Sequence, residues 1–359
     1  MDKTRLILSS TMYFTVFLIL NYVIFLGLSF TFNIPKNELY YIIILILALS
    51  QPISLLLLRF SSNLAIRAFY TASAAWLGIS AYILILFAIY LVVSYFVNIP
   101  AQTGGILVVG AALIISIYAL FNVTRMKIEE INIPLDINED IRAVQISDVH
   151  IGPIRKEGFI RGMVDKIIEL DPEIVFITGD IFDGSTKLDH NILKDFNRIE
   201  VPKIFIMGNH DFYQGFEEVS HYMNIAHINI LYNQVFQFKG TQTIGVPFSW
   251  DRKFLEKTLK TIDFDRNKPA ILLYHLPREF QVAIEEGIDL QLSGHTHAGQ
   301  FYPFNLFVKL MFPYIRGLYE EEGSYLYVSQ GTGTLGPPMR LGSRCEITLI
   351  NLKESKPLT

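Results

Sequence analysis

The sequence predicts a membrane region of four helices followed by a soluble α/β domain, and three observations predict it. Hydrophobic residues make up 51% of the 359 and charged residues 18%, yet the apolar ones concentrate between Leu6 and Phe121, and from Arg125 onward charges recur every few positions. Beyond Asp140, β-type runs alternate with helix-type runs, as in α/β folds. Five fragments rich in metal-binding side chains follow those β-type runs: Asp148-Val149-His150, Gly179-Asp180-Ile181-Phe182-Asp183, Gly208-Asn209-His210-Asp211, Tyr274-His275 and Gly294-His295-Thr296-His297.

The four spans are expected at Leu6–Phe30, Leu39–Leu58, Ala68–Val97 and Gly105–Val123. Each is long enough for a hydrocarbon core of about 30 Å, which takes about 20 helical residues. The breaks fall at Asn33-Ile34-Pro35-Lys36-Asn37, Arg59-Phe60-Ser61-Ser62-Asn63 and Asn98-Ile99-Pro100-Ala101-Gln102. Pro52 inside the second span is tolerable where neighbouring helices cover the freed carbonyl. Lys3 and Arg5 precede the first run as in a secretory signal, but the run exceeds a signal core of about 7–15 residues, lacks a small-residue cleavage pattern and is followed by three more. Lys3, Arg5, Arg59, Arg67, Arg125 and Lys127 fall on one side of the membrane and only Lys36 on the other, so the N-terminus and the domain after Val123 are expected in the cytoplasm. The spans hold no internal acidic residue and read as an anchor rather than an ion pathway. Ala72, Ser73, Ala74, Ala75, Gly78 and Ser80 suggest close helix packing in the third span.

A net charge of −4 gives no electrostatic reason to expect a nucleic-acid polymer as partner. The single cysteine, Cys345, excludes an internal disulfide, agrees with a reducing compartment, and is expected as a small apolar residue of a terminal strand.

This reading divides the chain into a transmembrane region at 1–124, a linker at 125–140 and a soluble α/β domain at 141–359. In that domain strands are expected at Arg142–Ser147, Ile174–Thr178, Lys203–Met207, Thr243–Val246, Ala270–Tyr274, Leu290–Leu292, Tyr325–Ser329 and Glu346–Leu352. Helices are expected at Glu157–Leu170, Leu188–Arg198, Phe216–Met223, Lys253–Thr261 and Arg278–Glu286. Phe301–Tyr319, dense in Phe, Leu, Tyr and Met with Lys309 and Arg316, reads as a helix that either rests on a membrane surface, lines an acyl pocket or packs on its own domain.

Each of the five fragments then falls just past the carboxyl end of a strand, where open α/β sheets gather their ligand-binding loops. In an extended segment residues i and i+2 face one side, so Asp148 with His150, and His295 with His297, can each present two ligands to one cavity. Gly179, Gly208 and Gly294 let the backbone turn tightly there. Mixed oxygen and imidazole donors suit Mn, Fe or Zn. One Asp-X-His alone would be a weak signal, whereas five fragments in strand-end order are a specific one. His190, His221 and His227 lack such a setting and are expected to have no chemical task.

At these residues the chain resembles the calcineurin-like metallophosphoesterases, whose ordered signature is D-x-H, G-D-x-x-D, G-N-H-[DE], H and G-H-x-H. The resemblance covers Ile141 to Leu352 with no signature element missing. It implies two sheets packed as a sandwich flanked by helices, an α/β/β/α fold. It also implies two divalent metal ions, one held by Asp148, His150 and His297, the other by Asn209, His275 and His295, with Asp180 bridging. Two such ions about 3.5–4 Å apart can share a water, make hydroxide available near neutral pH for in-line attack on phosphorus, and neutralise the phosphoryl oxygens. His210 is then the expected acid for the leaving oxygen, oriented by Asp211, an effect worth about 10²–10⁴-fold. Asp183 is expected to support a ligand rather than to be one.

The run from Gly294 to Gln300, with Gly331-Thr332-Gly333, Gly336-Pro337-Pro338-Met339-Arg340 and Ser343-Arg344-Cys345-Glu346-Ile347, is similar to a membrane-associated branch of the family that includes lipid-precursor pyrophosphatases and general phosphodiesterases. The expected substrate is a phosphodiester or pyrophosphate, a lipid-linked head group such as UDP-diacylglucosamine being one candidate, with Arg340 and Arg344 available to a second phosphate. The alternatives are a phosphodiesterase acting on soluble nucleotides and a catalytically silent membrane scaffold.

Overall fold

The computed structural model describes Lys3–Glu354, and the described chain divides by contact into two units. One comprises the residues up to Asn122 together with Gly336–Met339; the other comprises Val123–Leu335 and the residues from Arg340 onward.

The first unit holds α1 (Lys3–Phe32), α2 (Glu38–Leu58), α3 (Leu64–Phe96) and α4 (Ala101–Asn122). All four are long and apolar enough to cross a membrane. Asn37 and Asn63 cap α2 and α3, accepting hydrogen bonds from the amides of Tyr40 and Ile66, which satisfies donors a helix start leaves open. Small residues let the helices approach. A Cβ on Gly27 would meet the Phe87 ring at 3.1 Å, and one on Gly104 would meet the Tyr90 ring at 2.1 Å. The expected small-residue face of α3 is buried at Ser73, Ala74, Gly78 and Ser80, while Ala72 is exposed. Two pairs of polar groups meet in this interior: Trp76 Nε1 donates to Asn21 Oδ1 at 2.9 Å and Ser73 Oγ to Gln51 Oε1 at 2.6 Å.

The second unit runs β1 (Met126–Leu135), β2 (Ile141–Ile146), α5 (Glu157–Glu169), β3 (Ile174–Ile177), β4 (Lys203–Phe205), α6 (Asn209–Gln214), α7 (Phe216–Ile225), β5 (Asn229–Ile230), β6 (Gln234–Phe238), β7 (Thr241–Val246), α8 (Phe254–Leu259), β8 (Ala270–Tyr274), α9 (Phe280–Glu285), β9 (Leu290–Ser293), α10 (Phe304–Met311), β10 (Gly317–Glu321), β11 (Ser324–Val328) and β12 (Cys345–Glu354). Two six-stranded mixed sheets result, ordered β1-β12-β2-β3-β4-β5 and β10-β11-β9-β8-β7-β6.

Strand alternation makes the layers. In β3, Ile174 and Phe176 face the core between the sheets, while Val175 and Ile177 face Ile160, Met163 and Val164 of α5. In β8, Ile271 and Leu273 join that inner core, while Leu272 and Tyr274 pack with Leu255 of α8 and Phe280 of α9. Both faces of each sheet are covered, so their strands read as near-continuous apolar runs. The architecture is the α/β/β/α sandwich.

Three expected elements differ. Residues 125–140, read as a linker, contain the ten-residue β1, paired in parallel with β12 from Met126↔Cys345 to Leu135↔Glu354. Its charges, Lys127, Glu129 and Glu130, hid the pattern. Met126 and Ile128 pack on the helix-covered side, and Ile131, Ile133 and Leu135 turn to the inner core, so the alternation changes phase midway. The helix expected at Leu188–Arg198 is reduced to one 3-10 segment, Lys194–Arg198. Asn191 donates its amide to Asp189 Oδ1 at 2.8 Å, a side-chain turn that competes with helix. Phe301–Tyr319 is helical only through Met311, and its end enters β10.

Candidate metal centre

The signature fragments leave five adjacent strand ends. Asp148 follows β2, Asp180 follows β3, Asn209 and His210 follow β4 and open α6, His275 follows β8, and His295 and His297 follow β9. Both sheets thus feed one site.

The backbone delivers these side chains by a different route from the one the i, i+2 pattern predicts. Asp148, His150, Asp180, His295 and His297 have φ of 51°, 52°, 52°, 70° and 49°. Such left-handed conformations are uncommon for residues with a Cβ and cost of order 1–3 kcal/mol where strained. Five in one cluster turn the chain sharply at each position instead of pleating it. Gly179, with φ of 94°, shares the turn, and a Cβ there would lie 2.9 Å from the Gly208 backbone.

The ligand-type atoms converge in three overlapping groups: Asp148 with His150 and His297, His150 with Asp180 and His210, and Asp180 with His275 and His295, each within 4.8 Å of one another. Asp180 is shared by two groups. Its Oδ2 lies 3.3 Å from His275 Nε2 and 4.0 Å from His150 Nε2. His150 Nε2 faces His297 Nε2 at 3.1 Å, which lies 3.5 Å from Asp148 Oδ1, and His295 Nδ1 faces His275 Nε2 at 3.2 Å. Asn209 Oδ1 is buried without a hydrogen-bond partner. Buried acceptors that face one another or nothing are costly unless a cation occupies the space, so the donor set fits divalent ions. His210 reaches one group as well, at its edge.

Surrounding groups hold the candidate ligands in place. Ser147 Oγ donates to Asp148 Oδ2 at 2.6 Å, and the His295 amide donates to the same carboxylate. The His210 amide donates to Asp180 Oδ1 at 2.8 Å. His275 Nδ1 lies 2.7 Å from the Thr178 carbonyl, which fixes its ring and leaves Nε2 for the centre. Such outer hydrogen bonds orient metal ligands.

Asp211 does not orient His210 as expected. Its carboxylate accepts from the amides of Asp180 at 2.7 Å, Gly208 at 2.8 Å and Phe182 at 3.1 Å, joining two ligand loops. His210 Nδ1 instead lies 2.8 Å from the Asp183 carbonyl. The physical reason is position: at the third residue of α6, a carboxylate points back at the amides of the helix start. Arg340 also departs from expectation. Fully buried, it donates to the carbonyls of His297, Gln330 and Gly333 at 3.0, 2.6 and 2.7 Å, and sits 3.2 Å from His297 Nδ1. Its fork is spent on protein carbonyls and is not offered to a second phosphate. Arg344 is exposed.

Ser147, Thr178, the Asp183 carbonyl and the buried role of Arg340 were not legible as site elements, because each acts through a fold-dependent contact. The adjacency of Ser147 to Asp148 was the one available signal. His190 and His221 stack edge-on at 5.6 Å and His227 pairs with Asn197, and none of them joins the cluster.

Charge is distributed unequally. Burial lowers His150, His295 and His297, the last with help from His150 and Arg340, and His295 falls to about 3, so all three are neutral near pH 7. Burial opposes charge on His275 too, but Asp180 outweighs it and lifts His275 to about 10. In return, and against the burial that alone would raise it, His275 and His150 hold Asp180 well below the usual carboxylate range. Burial raises Asp148 to about 6 and, with Asp180, Asp211 to about 8, against the pull of the amides of Gly208 and Phe182. Without metal, an imidazolium at His275 supplies the positive charge the carboxylates need.

Residues 141–299 match the family model described as calcineurin-like phosphoesterase. The chain is similar to an uncharacterized metallophosphoesterase of Campylobacter jejuni, 35% identical over 67% of each chain. It is 34% identical over 64% of each chain to one of Helicobacter pylori, so it spans just under two thirds of that relative's length. It is also 31% identical, over 71% of this chain and 63% of the relative, to a zebrafish protein (Danio rerio) named transmembrane protein with metallophosphoesterase domain. The chain therefore belongs to the calcineurin-like phosphoesterase family.

Proposed function

We propose that this chain is a membrane-anchored hydrolase of phosphodiester or pyrophosphate bonds that works with two divalent ions. The observation that carries the reading is the shared Asp180 Oδ2 between the His150 and His275 sides of one buried cluster. In this reading Asp148, His150 and His297 would hold one ion and Asn209, His275 and His295 the other, with the Asp180 carboxylate available to each. When bound, such ions lower the pKa of a shared water and neutralise phosphoryl oxygens in the transition state.

The chain's own residues supply the rest. Asp211 keeps the Asp180 and Gly208 loops in register through three amides. His210, half-buried at the edge with Nδ1 held at the Asp183 carbonyl, presents Nε2 as the proton donor to the leaving oxygen. The ions are of the Mn, Fe or Zn class, which is what mixed oxygen and imidazole donors favour.

The four apolar helices support a location beside a bilayer, and the Lys/Arg distribution supports a cytoplasmic catalytic domain. Because β1 is part of the sheet, that domain begins at Met126. A lipid-linked phosphoester is the substrate class that best uses both halves of the chain. The test is metal analysis of the full-length protein, followed by Mn-dependent hydrolysis of bis-p-nitrophenyl phosphate and of a membrane lipid extract. Bound metal with no cleavage of either would overturn the catalytic reading. Cleavage of the soluble ester alone would overturn the lipid one.

A further inference from the structure

The segment between the His295/His297 loop and β10 leaves a large apolar face uncovered within its own unit. No residue of α10 is buried. Leu306, Phe307, Leu310 and Met311 are 50%, 63%, 84% and 75% exposed, with Tyr302 and Phe304 beside them. At about 100° per residue, Phe304, Leu306, Phe307, Leu310 and Met311 occupy an arc of roughly 160°, while Asn305 and Val308 face the domain. A soluble surface rarely keeps so much contiguous apolar area open without a partner.

We propose that α10 is an interfacial helix that lies in the surface of the bilayer. Three observations select the bilayer over other occupants. Only Val123, Thr124 and Arg125 separate the end of α4 from β1, so the first residue of β1 is tethered to an apolar span's end by at most about 14 Å of extended chain. Lys309, beside the apolar arc on α10, is exposed, a cationic flank that suits anionic headgroups. The apolar arc carries no charged residue, as a helix buried to about 5–10 Å in the headgroup boundary requires.

The seating bears on the candidate centre. Gly299, two residues after His297, has φ of 73° and packs on Asn305, whose Cα lies 2.3 Å from where a Cβ would stand. Phe312, at the end of α10, has its ring 5.3 Å from that of His295. The lipid-facing helix is thus packed at both ends against the loop that carries two candidate ligands. The seating itself does not rest on the catalytic reading, and its test needs no turnover.

The test uses full-length protein in nanodiscs of phosphatidylcholine and phosphatidylglycerol, with a nitroxide attached to Leu310→Cys. Cys345 is fully buried. References are Leu113→Cys on α4 and Glu169→Cys at the exposed end of α5. The expected oxygen-to-nickel-chelate collision ratio at position 310 is well above that at position 169 and approaches that at position 113, because an interfacial helix buries its apolar face where oxygen concentrates and the chelate does not. Leu310→Glu with the label moved to Phe307→Cys should return the ratio to the position-169 value, and an 84%-exposed site makes this change without disturbing the core. A ratio at 310 equal to that at 169 would overturn the proposal. So would dipolar broadening at 310 that dilution with unlabelled chain removes, which would assign the face to a second copy.

Discussion

Metal loading should release a proton, and its source should be His275. In the metal-free centre Asp180 and the surrounding burial leave His275 at about 10, so at pH 7 the ring is cationic. A histidine binds a metal only through a ring nitrogen that has lost its proton. Each pKa unit corresponds to about 1.36 kcal/mol, so displacing this proton at pH 7 opposes binding by on the order of 4 kcal/mol. The sign follows directly: raising the pH toward 10 removes the opposition, and apparent affinity at the His275 side should rise about tenfold per pH unit from pH 7 to 9. Below pH 6 the dependence should steepen as Asp148, at about 6, also takes up a proton. The assay is calorimetric titration of chelator-stripped full-length protein with Mn²⁺ in buffers of different ionisation enthalpy. Near pH 7 the slope of observed heat against buffer enthalpy should correspond to about one proton released. His275→Gln should abolish both that proton and one ion. A binding enthalpy independent of buffer, or an unchanged release in His275→Gln, would refute the reasoning.

Other consequences test separate links. Asp180→Ala should remove metal-dependent hydrolysis and leave the protein with fewer than two ions by elemental analysis, since both sides of the cluster lose their shared oxygen. His210→Ala should keep metal content and lower kcat by about 10²–10⁴-fold, as read by steady-state kinetics on a phosphodiester. Gly208→Ala removes no candidate ligand, yet its Cβ would stand 2.2 Å from Asp180 Oδ1 and push that carboxylate aside; metal occupancy should fall while far-UV circular dichroism stays unchanged. The metal-free protein should lose stability as pH rises from about 6.5 through 10. A group raised on folding stabilises fully below its unfolded pKa of about 6.5 and ceases to once it deprotonates in the folded state. Melting temperatures of chelated protein at pH 6.5 and 10 measure this, and the loaded protein should not share that component.

Much of the site was visible before any coordinates because its chemistry is local. Asp148-Val149-His150 and Gly294-His295-Thr296-His297 are short, carry rare residue types, and follow apolar runs that only strands explain. Their convergence needed only the rule that strand ends share a crevice. The apolar helices were equally legible, because a bilayer-spanning length of hydrophobic residues has few other readings.

What the sequence by itself determined is therefore the four apolar helices, the alternation of strands and helices that follows them, and the candidate ligand fragments at the strand ends. Tertiary structure decided the rest. Whether Met126–Leu135 is tether or strand depends on β12, which lies more than 200 positions away and supplies its backbone partners. That Asp211 binds amides of three residues rather than His210, and that Arg340 is buried against carbonyls instead of reaching for phosphate, depends on which loops the two sheets bring within 3 Å. Hydrogen bonds are short-ranged and directional, so a residue's composition gives its capacity to donate or accept, and only the fold chooses its partner.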